Sequence, residues 1–178
     1  MRVRVFAHAL AIWLMAFVVA ATAQAAGVPA AYAPVVIEPE GLPARAEFDL
    51  SAVQQRARRE NKRLYVYLGA NDCPYCRKYE AFLDAHALEL APHFAPYIVV
   101  DLRSALSVRA NGLFIKVGNR SQVYADFQRS IGDERARMLV YPSVWLLDSE
   151  LKPLMQMPAG TGTFQTVPEQ LEILRLEQ

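Results

Sequence analysis

Cys73 and Cys76 are the only cysteines in the 178-residue chain, and they stand in the run Cys73-Pro74-Tyr75-Cys76. Two thiols at that spacing suit half of a metal site, a short structural disulfide, or a pair that cycles between dithiol and disulfide. A zinc site needs further ligands, and His86 and His93 are not spaced to complete one. A disulfide closing so small a loop restrains little unfolded-chain entropy. Thiol–disulfide exchange is therefore the chemistry this spacing favours.

The neighbouring elements assign roles to the two thiols. Leu64-Tyr65-Val66-Tyr67-Leu68 is an apolar, aromatic run of strand type, Gly69-Ala70-Asn71-Asp72 breaks it, and helical periodicity begins at the cysteines. The first turn of a helix carries unpaired N–H groups and the positive end of the macrodipole, both of which stabilise an anion such as a thiolate. Pro74 suits the first helical position because it lacks an N–H. Cys73 is thus expected to attack, and Cys76, on the same side of that turn, to resolve the mixed disulfide. No further cofactor is expected beyond this redox-active pair.

Arg2 and Arg4 precede an apolar run from Ala9 to Ala21, and Ala23-Gln24-Ala25 has the small-x-small form of a cleavage site. Residues 1–26 read as a secretory signal peptide, too short in its apolar part to span a bilayer, with cleavage after Ala25 or Ala26. The expected location is an oxidising one, most simply a bacterial periplasm. Removing Arg2 and Arg4 leaves 17 basic residues against 18 acidic ones, a balance with no basic field for nucleic acid.

About 150 residues then remain, enough for one domain. Residues 27–46, with Pro29, Pro34, Pro39 and Pro43, read as a proline-rich leader without regular hydrogen bonding, and residues 47–178 as the folded domain. Asp49 or Ser51 is expected to cap a helix running to about Asn61, with Leu50, Val53 and Ala57 inward and an arginine-rich outer face. Tyr79, Phe82, Leu83, His86 and Leu90 extend the dithiol helix to about Leu88, with His86 a half-buried packing residue. Tyr97–Leu102 is a strand. Gly118-Asn119-Arg120-Ser121 suits a hairpin turn between Leu113–Val117 and Val123-Tyr124, although Ser121–Gln128 equally suits a helix. A short helix over Glu134–Leu139, a strand over Val140–Asp148, a partner strand over Leu151–Met157 and a helix over Val167–Leu176 complete the chain. Met138 reads as core.

Taken together, the order helix, strand, CPYC, helix, strand, insertion, helix, Tyr-Pro strand, strand, helix resembles the thioredoxin-like superfamily over roughly Phe48–Leu176. Two landmarks carry the resemblance jointly: the CPYC after a strand, and Tyr141-Pro142-Ser143 heading a hydrophobic strand about 65 residues later. Ala57-Arg58-Arg59-Glu60-Asn61-Lys62 adds the "A-x-x-E-N-K" helix end of secreted relatives. The resemblance implies an α/β thioredoxin fold, a central mixed sheet flanked by helices, with an insertion between the second strand and the cis-proline strand. It implies that Pro142 is cis and abuts Cys73, with Pro74, Tyr75, Tyr141 and Pro142 binding an extended substrate. Two departures stand out: Tyr67 takes the place of a buried Asp, and Asp72 that of a Trp before the first cysteine.

The activity so implied is exchange of disulfides with protein substrates, reduction more than oxidation, by a monomer recharged by a membrane thiol–disulfide electron donor or acceptor. The alternatives are a glutaredoxin-like, glutathione-dependent reductase, suggested by CPYC itself, and a non-turnover module that binds Cu(I) or a partner protein.

Overall fold

A computed structural model describes residues 27–42, 45–132, 138–156 and 166–175. The signal-peptide segment, the core of the expected helix at Glu134–Leu139, and Met157 lie outside these residues. In chain order the strands are β1 (Val35–Ile37), β2 (Ala46–Asp49), β3 (Arg63–Ala70), β4 (Tyr97–Ser104), β5 (Leu113–Val117), β6 (Arg120–Val123), β7 (Ser143–Leu147) and β8 (Pro153–Gln156). The α-helices are α1 (Ser51–Glu60), α2 (Pro74–Ala85), α3 (Ala87–Leu90), α4 (Tyr124–Ser130) and α5 (Val167–Arg175).

The strands form two mixed sheets. The larger has the order β1-β4-β3-β7-β8, with β1, β4 and β3 mutually parallel and β7 and β8 antiparallel to their neighbours. The smaller has the order β2-β5-β6. β3 is a continuous apolar run because both its faces are covered. Tyr65 and Tyr67 face a core built with α2 and α5, whereas Leu64, Val66 and Leu68 face one built with α1, α4 and the small sheet. The chain is therefore a mixed α/β protein whose central strand delivers its C-terminal end to the dithiol.

Helix α1 starts where the side chains offer a start. The N-cap is Leu50, not Asp49 or Ser51 as expected, and its side chain makes no capping bond; Asp49, one residue earlier, accepts the Ser51 N–H at 2.9 Å, and Asn61 at φ +50° ends the helix with Lys62 N–H bonded to the Ala57 carbonyl at 2.9 Å. Arg56 and Arg58 are exposed and pair with Glu60 and Glu150, as expected of a solvated face.

Several expectations need correction. β3 does not stop at Leu68 but runs through Gly69 and Ala70, paired with Arg103 and Ser104. The proline-rich leader is not free of regular structure: β1 adds an edge strand to the large sheet, Tyr32 is buried in the core, and Ala46 already belongs to β2. The dithiol helix does not reach Leu88; it breaks at His86, which lies half-buried against the Phe82 ring at 5.0 Å. Both readings of the insertion hold in part, since β5 and β6 make a hairpin about Gly118-Asn119 and α4 follows from Tyr124. Val140, Tyr141 and Pro142 precede β7 rather than belong to it, and Met138 is 66% exposed instead of core.

Trp145 of β7 anchors the second core, its ring 6.2 Å from Tyr124 and 6.0 Å from Phe127. Truncation there removes a 4%-exposed indole between the sheet and α4. Trp145→Ala should lower unfolding free energy by about 3–5 kcal/mol, seen as an earlier urea midpoint at unchanged slope. A loss under about 1 kcal/mol would contradict the packing of α4 on the sheet.

Candidate active site

Cys73 is the N-cap residue of α2. Its backbone is extended (φ −94°, ψ 115°), and its sulfur accepts the Cys76 N–H at 3.1 Å. Pro74 occupies the first helical turn, where its missing donor costs nothing. The Cys73 N–H is tied back to the Ala70 carbonyl at 3.0 Å, so the last residue of β3 fixes the dithiol turn directly. Both sulfurs are free thiols here, Cys73 2% and Cys76 0% exposed.

Opposite the first sulfur lies the residue before β7. The Cys73 thiol donates to the Tyr141 carbonyl at 3.7 Å, a long contact at the limit for sulfur, and the Tyr141–Pro142 peptide bond is cis. The Tyr141 hydroxyl is hydrogen-bonded to Ser104 Oγ at 2.8 Å, which secures this segment to the end of β4. Burial pushes the Tyr141 phenol up to about 12. Pro142 is half-buried next to it.

A groove of about 590 Å³ runs from Cys73 past Pro74, Tyr75 and Tyr141 to Leu106, Val108 and Met138. Its lining is largely apolar, with Arg109 the charged residue on it. Tyr75 is 51% exposed and stands with the Lys78 ammonium 5.5 Å from its ring centre. The structure thus brings Cys73, Pro74, Tyr75 and Tyr141 to one surface, while Cys76 lies beneath it. Leu106, Val108 and Met138 escaped the sequence reading because nothing in their local pattern marks them as neighbours of Cys73. Asp72 does not turn toward the sulfur: its carboxylate accepts the Leu106 N–H at 2.8 Å and so holds the groove wall.

Below the groove is a polar layer inside the α2-facing core. Tyr67 on β3 donates its hydroxyl proton to Glu80 Oε1 at 2.8 Å and belongs to the same buried core cluster as Cys76. Burial pushes the Cys76 thiol up to about 12, with the adjacent Cys73 adding to the effect, so at neutral pH Cys76 holds its proton. Asp101 on β4, fully buried and directly opposite Tyr67 in the parallel register, is paired with Arg103 at 3.1 Å and accepts the Val28 N–H at 3.0 Å. Desolvation raises its carboxyl above the usual range despite the arginine. Among the described residues no group of three or more His, Cys, Asp or Glu side chains is placed to hold a metal ion.

No family model and no curated protein matches the chain.

Proposed function

We propose that the chain is a thioredoxin-like thiol–disulfide oxidoreductase that exchanges disulfides with protein substrates. The observation that carries this is the placing of the two sulfurs: one at the head of a helix, accepting a backbone N–H at the edge of an apolar groove, the other buried directly behind it with its proton retained. The sheet order β1-β4-β3-β7-β8, with α2 following the central strand and the cis Tyr141–Pro142 bond beside Cys73, supports the thioredoxin assignment of the fold.

The Cys73 thiolate attacks one sulfur of a substrate disulfide; that S–S bond breaks, a substrate thiolate leaves, and a mixed disulfide forms on Cys73. The substrate chain lies in the groove, with the Tyr141 backbone beside it. Cys76 then gives up its proton, which ends on a released substrate thiolate, and attacks Cys73 Sγ, which expels the second half of the substrate and leaves Cys73–Cys76 oxidised. Two electrons pass to the substrate. Reversing the steps oxidises a dithiol substrate. With residues 1–26 as a signal peptide, the setting is a periplasm, and a membrane thiol–disulfide protein is the partner that restores the dithiol.

Incubation of the reduced protein with a disulfide-bonded polypeptide such as insulin, in the presence of excess dithiol, tests this. Precipitation of the freed chain at a catalytic protein-to-substrate ratio is expected. No acceleration over the dithiol alone would reject the activity.

A further inference from the structure

Two walls of the groove at Cys73 hold residues already expected to bind substrate: Pro74 and Tyr75 at the start of α2, and Tyr141 before β7. The third wall is the connection between β4 and β5, which brings Leu106, Val108 and Arg109 to the groove. Nothing in the exchange chemistry itself calls for it.

That connection is held in one shape before any substrate arrives. The Leu106 N–H is bonded to the Asp72 carboxylate at 2.8 Å, and the Asn71 N–H to the Ser104 carbonyl at 3.1 Å, so the segment before Cys73 grips its near end. Two turns set the rest: the Val108 N–H is bonded to the Ala105 carbonyl at 3.0 Å, and the Gly112 N–H to the Arg109 carbonyl at 2.8 Å. The Val108 side chain is buried in the core on the α1 side of the sheet, which anchors the wall from below. A preformed wall has little ordering left to lose when a ligand binds.

The wall offers two kinds of contact. Leu106 joins Tyr75 and Met138 as large apolar side chains that the groove leaves exposed, and apolar side chains gathered about one concavity mark a binding surface. Arg109 is exposed on the same wall, and among the described residues no carboxylate is paired with it. The other charged side chains next to the dithiol are Asp72, Arg77 and Lys78. Asp72 is already engaged by the Leu106 N–H, Arg77 donates to the Asn71 carbonyl at 3.2 Å, and Lys78 lies 5.5 Å from the Tyr75 ring centre. Three cations against one anion make this surface positive, and of the four only Arg109 lines the groove.

We infer that the connection between β4 and β5 selects the substrate, and that the segment it selects is extended, with an apolar side chain beside its cysteine and a carboxylate that pairs with Arg109. The apolar side chain leaves water against Leu106 and Met138, while the carboxylate meets the one guanidinium on the groove lining. Arg109 is a specificity residue: it takes no proton and no electron in the exchange. The positive surface also favours encounter with acidic segments over basic ones.

The inference rests on the exchange activity proposed above, and a competition experiment separates the two. The reduced protein is given two peptides at once, each as its symmetrical disulfide, both with leucine beside the cysteine and alike except for glutamate or lysine at one further position. That position is moved in turn through the four residues on either side of the cysteine, and the freed peptide thiols are counted by mass spectrometry after acid quench. At one or more positions the glutamate peptide should be reduced about fivefold faster, the size expected of an exposed ion pair. The ratio should fall below about twofold in 1 M salt, where the screening length is about 3 Å. Arg109→Glu, a change at an exposed side chain, should invert the ratio at the same position. Serine in place of the leucine should slow the glutamate peptide about tenfold, and oxidised glutathione, acidic but without an apolar side chain, should compete no better than that serine peptide. A ratio within about twofold at every position, a glutamate preference that survives Arg109→Glu, a serine peptide reduced as fast as the leucine one, or oxidised glutathione consumed ahead of the leucine peptide would overturn the inference. Failure of the wild type to reduce any of the peptides would instead reject the exchange activity itself.

Discussion

Cys76→Ser should convert a catalyst into a trap. With Cys73 intact the variant still attacks a substrate disulfide, but nothing expels the second half of the substrate, and a covalent adduct accumulates at one per protein molecule. Intact-mass spectrometry or a non-reducing gel detects it, and excess dithiol reverses it. Cys73→Ser should do neither: a hydroxyl is a far weaker nucleophile at neutral pH, and the remaining thiol is buried, with its proton held. Turnover should fall to background in both, at least about a thousandfold, because each step consumes one sulfur irreplaceably. The asymmetry matters more than the loss. An adduct on Cys73→Ser in place of Cys76→Ser would reverse the assigned roles, since the geometry puts Cys73 at the groove and Cys76 behind it.

The second large effect is on stability at alkaline pH. The folded-state pKa of Cys76 is raised by burial to about 12 from an ordinary thiol value of 9.0. A raised pKa means that the native state binds the proton more tightly than the unfolded state. The contribution is therefore fully present below about pH 9 and is lost as pH climbs toward about 12, up to about 4 kcal/mol at 1.36 kcal/mol per pKa unit. Buried Tyr65, Tyr67 and Tyr79 are shifted upward as well, and Tyr32 to about 12, each by desolvation first. These phenols add a loss of the same sign above about pH 10. The reduced protein should thus begin to lose stability about one pH unit earlier than Cys76→Ser, whose titration lacks the thiol. Urea midpoints measured from about pH 7 to 11 check this; parallel curves for the two proteins would show that Cys76 is not held neutral by the fold.

What the sequence made legible, and what it hid, divides along physical lines. The strand–dithiol–helix unit was readable because each signal is local: an apolar strand run, a proline suited to the first turn, and helical spacing from Tyr79 to Leu83. Helix α1 was readable for the same reason, from its inward Val53 and Ala57 and from Asn61 at its end, although its cap is Leu50 and not Asp49 or Ser51. Strand β1 was not, because Val35–Ile37 is three residues long between prolines and becomes a strand only through its pairing with β4. The break assigned to Gly69 was a glycine read as a turn signal. Its actual part is to clear space for the Tyr67 ring while staying in the strand. The Tyr67–Glu80 bond joins a strand to a helix, and Asp101 comes beside Tyr67 only through the parallel register. Neither has any periodicity that a sequence could display. Tyr67 was visible as a strand residue, with nothing local to mark its partner on α2. Met138, exposed on the groove rim, was read as core, since apolarity alone does not say which side of a groove a residue occupies.

The proposed exchange activity requires that Cys73 and Cys76 cycle as one two-electron couple. Equilibration of the protein lacking residues 1–26 in graded glutathione buffers, with the free thiols counted after acid quench, tests it most directly. Both thiols should disappear together in one transition, at a potential between about −270 and −120 mV, the span of the functional dithiol carriers; a value toward the lower end marks a donor of electrons and one toward the upper end an oxidant. Two thiols that persist across all buffers, or a pair that stays oxidised below about −300 mV as structural disulfides do, would contradict it.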